Sequence, residues 1–288
     1  MNRFDATIRS PRLVGVACAI GAVALGLGHM TAAGAPGRYL VINTAALGVG
    51  LTLLGLFGGA LFADRSWTSA AIAAMAGALL ATALSGDSVE GATRWVRLGG
   101  LSLQPSLILL PVMLVAFARS RNRLATAGMM VAAAAIAIQP DRAMAGMLAA
   151  GLGVLAVLRP DRLVLAALGA SLAGFAVTLA RPDRLPAADY VEGVLYSSFE
   201  VHLLAGLAVI LGLALLVVPA VIGWFRDPAG RDQYAAFGAV WLAAILAAAL
   251  GNYPTPLVGY GASAIIGYAL SFLALPKLEG LRRSPCPA

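Results

Sequence analysis

The side chains able to do chemistry in this chain gather in a few stretches between apolar runs. Gly86-Asp-Ser-Val-Glu-Gly-Ala-Thr-Arg-Trp-Val-Arg-Leu-Gly-Gly-Leu-Ser-Leu-Gln-Pro-Ser106 sets Arg94 and Arg97 three residues apart around Trp95. Arginine presents a planar fork of donors that suits phosphate oxygens. A second polar stretch, 181–202, holds Asp189, Glu192, Tyr196, Glu200 and His202. A helix over 188–201 would put Asp189 and Glu192 on one face, with Tyr196 following Glu192 at i+4. A third group, Gln139-Pro-Asp141, adds one more carboxylate. Cations to hold phosphate, next to carboxylates able to accept a proton, suit a phosphate-bearing amphiphile. Each element also has a plainer reading: an Arg-Trp-Arg segment that touches headgroups only, and a surface helix that only joins two spans. His29 and His202 are lone histidines, and Cys18 and Cys286 lie too far apart in sequence for a metal or disulfide motif. No Gly-rich phosphate loop and no nucleophile elbow is present.

The elements that must position these residues are membrane helices. Of 288 residues, 60% are hydrophobic and 11% charged, with a mean hydropathy of +0.88. A soluble domain carries about 25% charged residues. Ten apolar runs, at about 13–34, 39–62, 67–85, 105–118, 124–139, 143–158, 163–180, 202–225, 233–251 and 260–275, predict about ten transmembrane helices. The first run has basic residues before it and Ala-Ala-Gly-Ala near its end, like a signal peptide, but it is long and nine more runs follow. With the N-terminus inside, 14 of the 20 basic residues fall in inner segments and 6 in outer ones. This bias predicts cytoplasmic N- and C-termini and two long outward loops, 86–104 and 181–201. The net charge of +7 is thus a topology signal, with no nucleic-acid partner implied. Asp87, Glu90, Asp141, Asp183, Asp189, Glu192 and Glu200 fall on the outer side. Pro-Asp-Arg occurs at 140–142, 160–162 and 182–184, the first two at helix starts where Asp can cap free N–H groups. Gly55-x-x-x-Gly59 is a small-residue pair of the kind that lets helices approach closely. The fold class is an all-α polytopic membrane protein, a single integral domain over 1–288, in contact with membrane lipids.

Four stretches carry a family resemblance, in order and on one side of the membrane. Gly91-Ala-Thr-Arg-Trp-Val-Arg-Leu-Gly99, followed by Leu101-Ser-Leu-Gln-Pro-Ser106, resembles the loop G-A-x-R-W-I-x-L-G…S-x-Q-P-S-E-x-x-K of the SEDS family, the FtsW/RodA/SpoVE group. Gln139-Pro-Asp141 looks like its Q-P-D-L-G-T. Tyr253-Pro-Thr-Pro-Leu-Val-Gly-Tyr-Gly-Ala-Ser263 is similar to I-P-L-P-F-V-S-Y-G-G-S, and residues 189–206 to H-T-D-F-I-F-A-V-x-A-E-E-L-G-x-x-G.

The resemblance implies a peptidoglycan glycosyltransferase of cell division or cell shape in the bacterial cytoplasmic membrane. Its substrate would be lipid II, the undecaprenyl-pyrophosphate-linked disaccharide peptide, and a class B penicillin-binding protein transpeptidase would be its partner. It fixes no cofactor and leaves room for a divalent cation. Counted back from Gly206, the family's essential aspartate falls on Glu192, which would be the general base. Asp189 is the alternative if the register slips. Arg94, Trp95, Arg97, Gln104, Asp141, Glu200 and Tyr260 would bind substrate. Leu107 and Leu110 stand where the family has Glu and Lys. The alternative reading is a non-catalytic member that binds the lipid-linked precursor or a division or elongation partner. A transporter fits less well, since few charges lie mid-span.

Overall fold

The computed structural model describes residues 11–58, 62, 64–89, 91–181 and 187–276. Glu90, the third Pro-Asp-Arg at 182–184, Gly59 and Cys286 lie outside them. The described helices are α1 (Pro11–Ala32), α2 (Gly37–Phe57), α3 (Arg65–Ser85), α4 (Pro105–Arg119), α5 (Arg123–Ile138), α6 (Arg142–Leu158), α7 (Arg162–Leu179), α8 (Val194–Val201), α9 (Leu203–Arg226), α10 (Arg231–Leu250) and α11 (Ala262–Ser271). Six are long and apolar enough to cross a membrane: α1, α2, α3, α7, α9 and α10 with the turn before it. The four shorter apolar helices are α4, α5, α6 and α11. These ten fall on the ten apolar runs.

Two of the short helices, α4 and α11, lie toward the middle. α4 has 15 residues, about 22 Å at 1.5 Å per residue, against about 30 Å of hydrocarbon. It packs on α3, α6, α10 and α11, and its residues from Leu110 to Ala118 are all buried. α11 is shorter still, and the chain before it enters the bundle as irregular backbone, with Leu257 and Val258 buried. Irregular backbone at membrane depth is tolerated where protein surrounds it. Two glycines make room for it. A Cβ at Gly26 of α1 would stand 2.6 Å from the Val258 backbone, and one at Gly212 of α9 would stand 2.4 Å from its side chain. A Cβ at Gly55 would meet nothing within 4 Å, so no close approach is made at that glycine. An aromatic cluster of Phe237, Trp241, Tyr268 and Phe272 ties α10 to α11.

The polar contacts separate into two ends. At one, Arg121 faces Asp232 at 3.1 Å and Asp161 at 3.7 Å, and Arg159 faces Asp232 at 3.8 Å. At the same end Arg12 of α1 donates to the Leu273 carbonyl at 3.0 Å, to that of Leu275, and to that of Gly58 at 3.3 Å. The opposite end holds the sequence-predicted site residues.

Two expectations are corrected here. The stretch 86–104 is not a plain loop between the helices of this all-α fold. It contains a meander of β1 (Asp87–Val89), β2 (Ala92–Leu98) and β3 (Leu101–Leu103) in antiparallel order. Thr93, Trp95 and Val96 suit a strand. Leu98 pairs with Leu101 across Gly99-Gly100, and both glycines have positive φ, 55° and 86°, as a two-residue hairpin turn of type I′ requires. The second correction is that no helix covers 188–201. Only α8 forms, and Gly193 before it is left-handed at φ 69°. Asp189 and Glu192 therefore do not share a helical face.

Candidate functional site

The site is built where β2, the start of α4, the start of α6 and the irregular segments 187–193 and 251–261 meet. Asp141 is the N-cap of α6, its Oδ1 accepting from the Met144 N–H at 3.2 Å. Its Oδ2 accepts from Gln104 Nε2 at 2.7 Å and stands 3.9 Å from Arg94 Nε. Gln104 precedes Pro105, which opens α4 at a position where a missing N–H costs nothing. The Gln104 N–H donates to Ser263 Oγ at 2.9 Å, joining the start of α4 to α11.

Arg94 faces inward from β2. Its guanidinium donates to the carbonyls of Gln139 (3.4 Å) and Pro140 (2.5 Å), buried acceptors just past the end of α5 that the helix ladder does not serve. It also lies 5.9 Å from the centre of the Trp95 ring, a cation–π distance. The side chains of Arg94 and Asp141 are only 5% and 1% exposed, so this pair is desolvated and each depends on the other.

Glu192 sits in the turn before α8. Its Oε2 accepts from the Ala188 N–H at 2.7 Å. Burial raises its pKa above the ordinary carboxyl value, against the opposing pull of its backbone hydrogen bonds. Glu192, Arg94, Trp95, Gln104 and Asp141 all line one cavity of about 110 Å³, together with Leu107, Asn252 and Tyr253. Five of the nine predicted site residues thus come together.

The other four lie outside that cavity. Arg97 is three residues from Arg94, which on a strand means the opposite face. It is exposed and pairs with Asp87 at 3.8 Å. Asp189 and Glu200 are exposed. Tyr260 stacks on Tyr39 with ring centres 3.9 Å apart. His202 caps α9, its Nδ1 accepting from the Leu204 N–H at 3.1 Å.

Sequence reasoning missed Asn43, Asn252 and Tyr253 as parts of this region. Asn43 is a lone polar residue in an apolar run, a signal worth weighing at membrane depth. A larger groove of about 580 Å³ runs beside the cavity. It is lined mainly by apolar residues of α6, α7 and α10, including Phe175, Leu179, Leu246 and Leu250, with Arg142 among them, and shares Ala143, Ala247, Asn252 and Tyr253 with the cavity. Among the described residues, no three His, Cys, Asp or Glu side chains cluster to hold a metal. A divalent cation here would draw on Asp141 or Glu192 and on substrate phosphate, as magnesium sites usually do.

No family model matches the chain, and no curated protein sequence matches it. Solved structures do. The rod shape determining protein RodA of Thermus thermophilus is similar with a TM-score of 0.63 at 22% identity, over 90% of this chain and 93% of that one. An aspartate-to-alanine mutant of that RodA gives 0.62 at 22%, over 90% and 94%. A chain from a peptidoglycan synthase complex, studied for its coordination of polymerization and crosslinking, gives 0.60 at 23%, over 90% and 95%. At such identity the likeness is one of fold. The chain has the RodA fold, as the SEDS motifs led one to expect.

Proposed function

We propose that the chain is a SEDS-type glycosyltransferase. It would polymerise lipid II into glycan strands at the outer face of the bacterial cytoplasmic membrane, in cell division or cell-shape growth. The observation that carries this is the cavity. It places a carboxylate of raised pKa, Glu192, in the same lining as Arg94, Gln104 and Asp141. The excess of basic residues at the opposite end supports ten spans with both termini in the cytoplasm.

In the reaction, an acceptor sugar hydroxyl attacks the anomeric carbon of the donor. Its proton passes to Glu192 and the bond to the lipid pyrophosphate breaks. A raised pKa makes Glu192 a stronger base near neutral pH, and positioned proton transfer contributes about 10²–10⁴-fold. Arg94 stabilises the charge that grows on the leaving pyrophosphate, with Trp95 beside it. Asp141 and Gln104 hold the wall, and Asp141 keeps Arg94 aimed. The apolar groove next to the cavity takes the prenyl chain. At about 110 Å³ the cavity holds only a few waters of about 30 Å³ each. A disaccharide therefore enters only if segment 187–193 or 251–261 moves. A class B penicillin-binding protein is the partner that would crosslink the product.

A second reading is a protein that binds the lipid-linked precursor or a division partner without turning it over. Leu107 and Leu110, both buried, favour it, because the resemblance places Glu and Lys there. The experiment that separates the two is lipid II polymerisation by the purified protein, alone and with a transpeptidase partner. Glycan strands from wild type, with a loss of about 10²–10⁴-fold in Glu192→Gln, uphold the enzyme. Binding of lipid II without product upholds the second reading. Product that survives Glu192→Gln removes Glu192 as the base.

A further inference from the structure

One wall of the cavity is made of two irregular segments, and one helix outside both of them grips them. Asn43 lies in α2 and is fully buried. Its Nδ2 donates to the Gly259 carbonyl at 2.9 Å, and its Oδ1 accepts from the Gly261 N–H at 3.1 Å. The amide is thus matched at both ends to backbone that no helix or sheet ladder serves. An unmatched amide at that depth would be costly.

The gripped segment passes the constraint on. The Thr255 N–H donates to the Val191 carbonyl at 2.8 Å, and the Tyr260 N–H donates to the Tyr190 carbonyl at 2.6 Å. These are the two residues directly before Glu192. Tyr190 stands at φ 65°, a conformation a bulky residue keeps only when its surroundings over-determine it. Tyr39, also on α2, adds a second hold. Its ring stacks on Tyr260 and meets Tyr190 edge-on at 6.0 Å. The crossing itself has no spare room. A Cβ at Gly259 would stand 2.9 Å from the Thr255 carbonyl oxygen, 3.1 Å from that of Tyr190 and 3.2 Å from that of Val191.

We infer that Asn43 is a positioning residue for the Glu192 carboxylate, acting through residues 255–261. The inference rests on Glu192 being the base, and the test lets the two fail separately. Asn43→Leu keeps the branching of the side chain and removes both hydrogen bonds. Gly259→Ala wedges the crossing apart from the other side, at the residue whose carbonyl Asn43 holds, and leaves the Asn43 side chain itself unchanged. Thr52→Val is the control on the same helix, since the exposed Thr52 hydroxyl bonds to the Gly48 carbonyl of its own turn.

The full chain in detergent is followed by hydrogen–deuterium exchange and by lipid II polymerisation. In Asn43→Leu and Gly259→Ala, exchange in peptides covering 187–193 and 253–261 should quicken by roughly tenfold or more, with α3 and α5 unchanged. Polymerisation kcat should fall roughly 10–10²-fold, as a misplaced reacting group predicts, while KM stays within about threefold. Thr52→Val should match wild type in both. Unchanged exchange in those two segments overturns the inference. So does exchange loosened through every helix, or a defect confined to KM. If wild type makes no glycan, the base assignment falls. The exchange measurement then decides the clamp alone: selective loosening upholds it and its absence overturns it.

Discussion

Pro140-Asp141-Arg142 and Pro160-Asp161-Arg162 spell one tripeptide at opposite ends of neighbouring helices, and they do different work. Both aspartates cap. Asp161 does it better, its Oδ1 accepting from Leu163 and Val164 at 2.8 and 2.9 Å, and its other oxygen faces Arg121 across a gap partly open to solvent. Asp141 caps through one longer bond of 3.2 Å. Its second oxygen turns to Gln104 and Arg94 beside the cavity. Capping explains the residue at 161 and leaves half of the residue at 141 unexplained. Burial separates the two, since the motif is identical.

The comparison can be broken by experiment. Asp141→Ala strips the carboxylate from a buried guanidinium, and should cost about 3–5 kcal/mol of stability, read as thermal unfolding of the detergent-solubilised protein. A cost no larger than at Asp161 would erase the distinction drawn here. Next comes pH. Glu192 works ionised, so the polymerisation rate should rise with pH through a midpoint above the ordinary 4.5 of a glutamate, and Glu192→Gln should have no such limb.

The stability effect at Glu192 has the opposite sign to the rate effect. The folded state holds this proton more tightly than the unfolded state. Stability is therefore present below pH 4.5 and is lost as pH rises through the folded pKa. Glu192→Gln should accordingly melt higher than wild type at pH 7, with the gap closing in acid.

Smaller effects belong to the other end and the sheet rim. Asp161→Ala should cost about 1 kcal/mol for the cap and at most about 1 more for a solvent-exposed pair, with polymerisation unchanged. Arg97→Ala, on the outward face of β2, should shift stability by less than about 0.5 kcal/mol and leave the rate alone. A loss of activity there would mean that the strand presents both faces to substrate.

Much of the fold was legible because apolar length is written directly in the sequence. The run at 105–118 became Pro105–Arg119, and the run at 143–158 became Arg142–Leu158. The sheet was less legible. Gly99-Gly100 between Val96 and Leu103 is a hairpin signal, but it sits in a stretch whose charges draw attention first. Arg94, Asp141 and Glu192 were singled out from motif order, and the fold brings the three to one cavity. Arg97 was not separable from Arg94 until a strand placed them on opposite faces. Asn43 stood out only as an amide in an apolar run, and its role was not legible, because its partners, Gly259 and Gly261, are near only in three dimensions. Leu107 and Leu110, where the resemblance places Glu and Lys, are both buried.

The Arg12 contact bears on how the chain is made. Its guanidinium belongs to the first described helix, and its acceptors at Leu273 and Leu275 lie just past the last. During synthesis α1 enters the bilayer long before those carbonyls exist. Until then the arginine has the Gly58 carbonyl at 3.3 Å, and its other donors are left to water or lipid phosphate at the headgroup level. Closing the bundle at that end is therefore a late, post-insertion event.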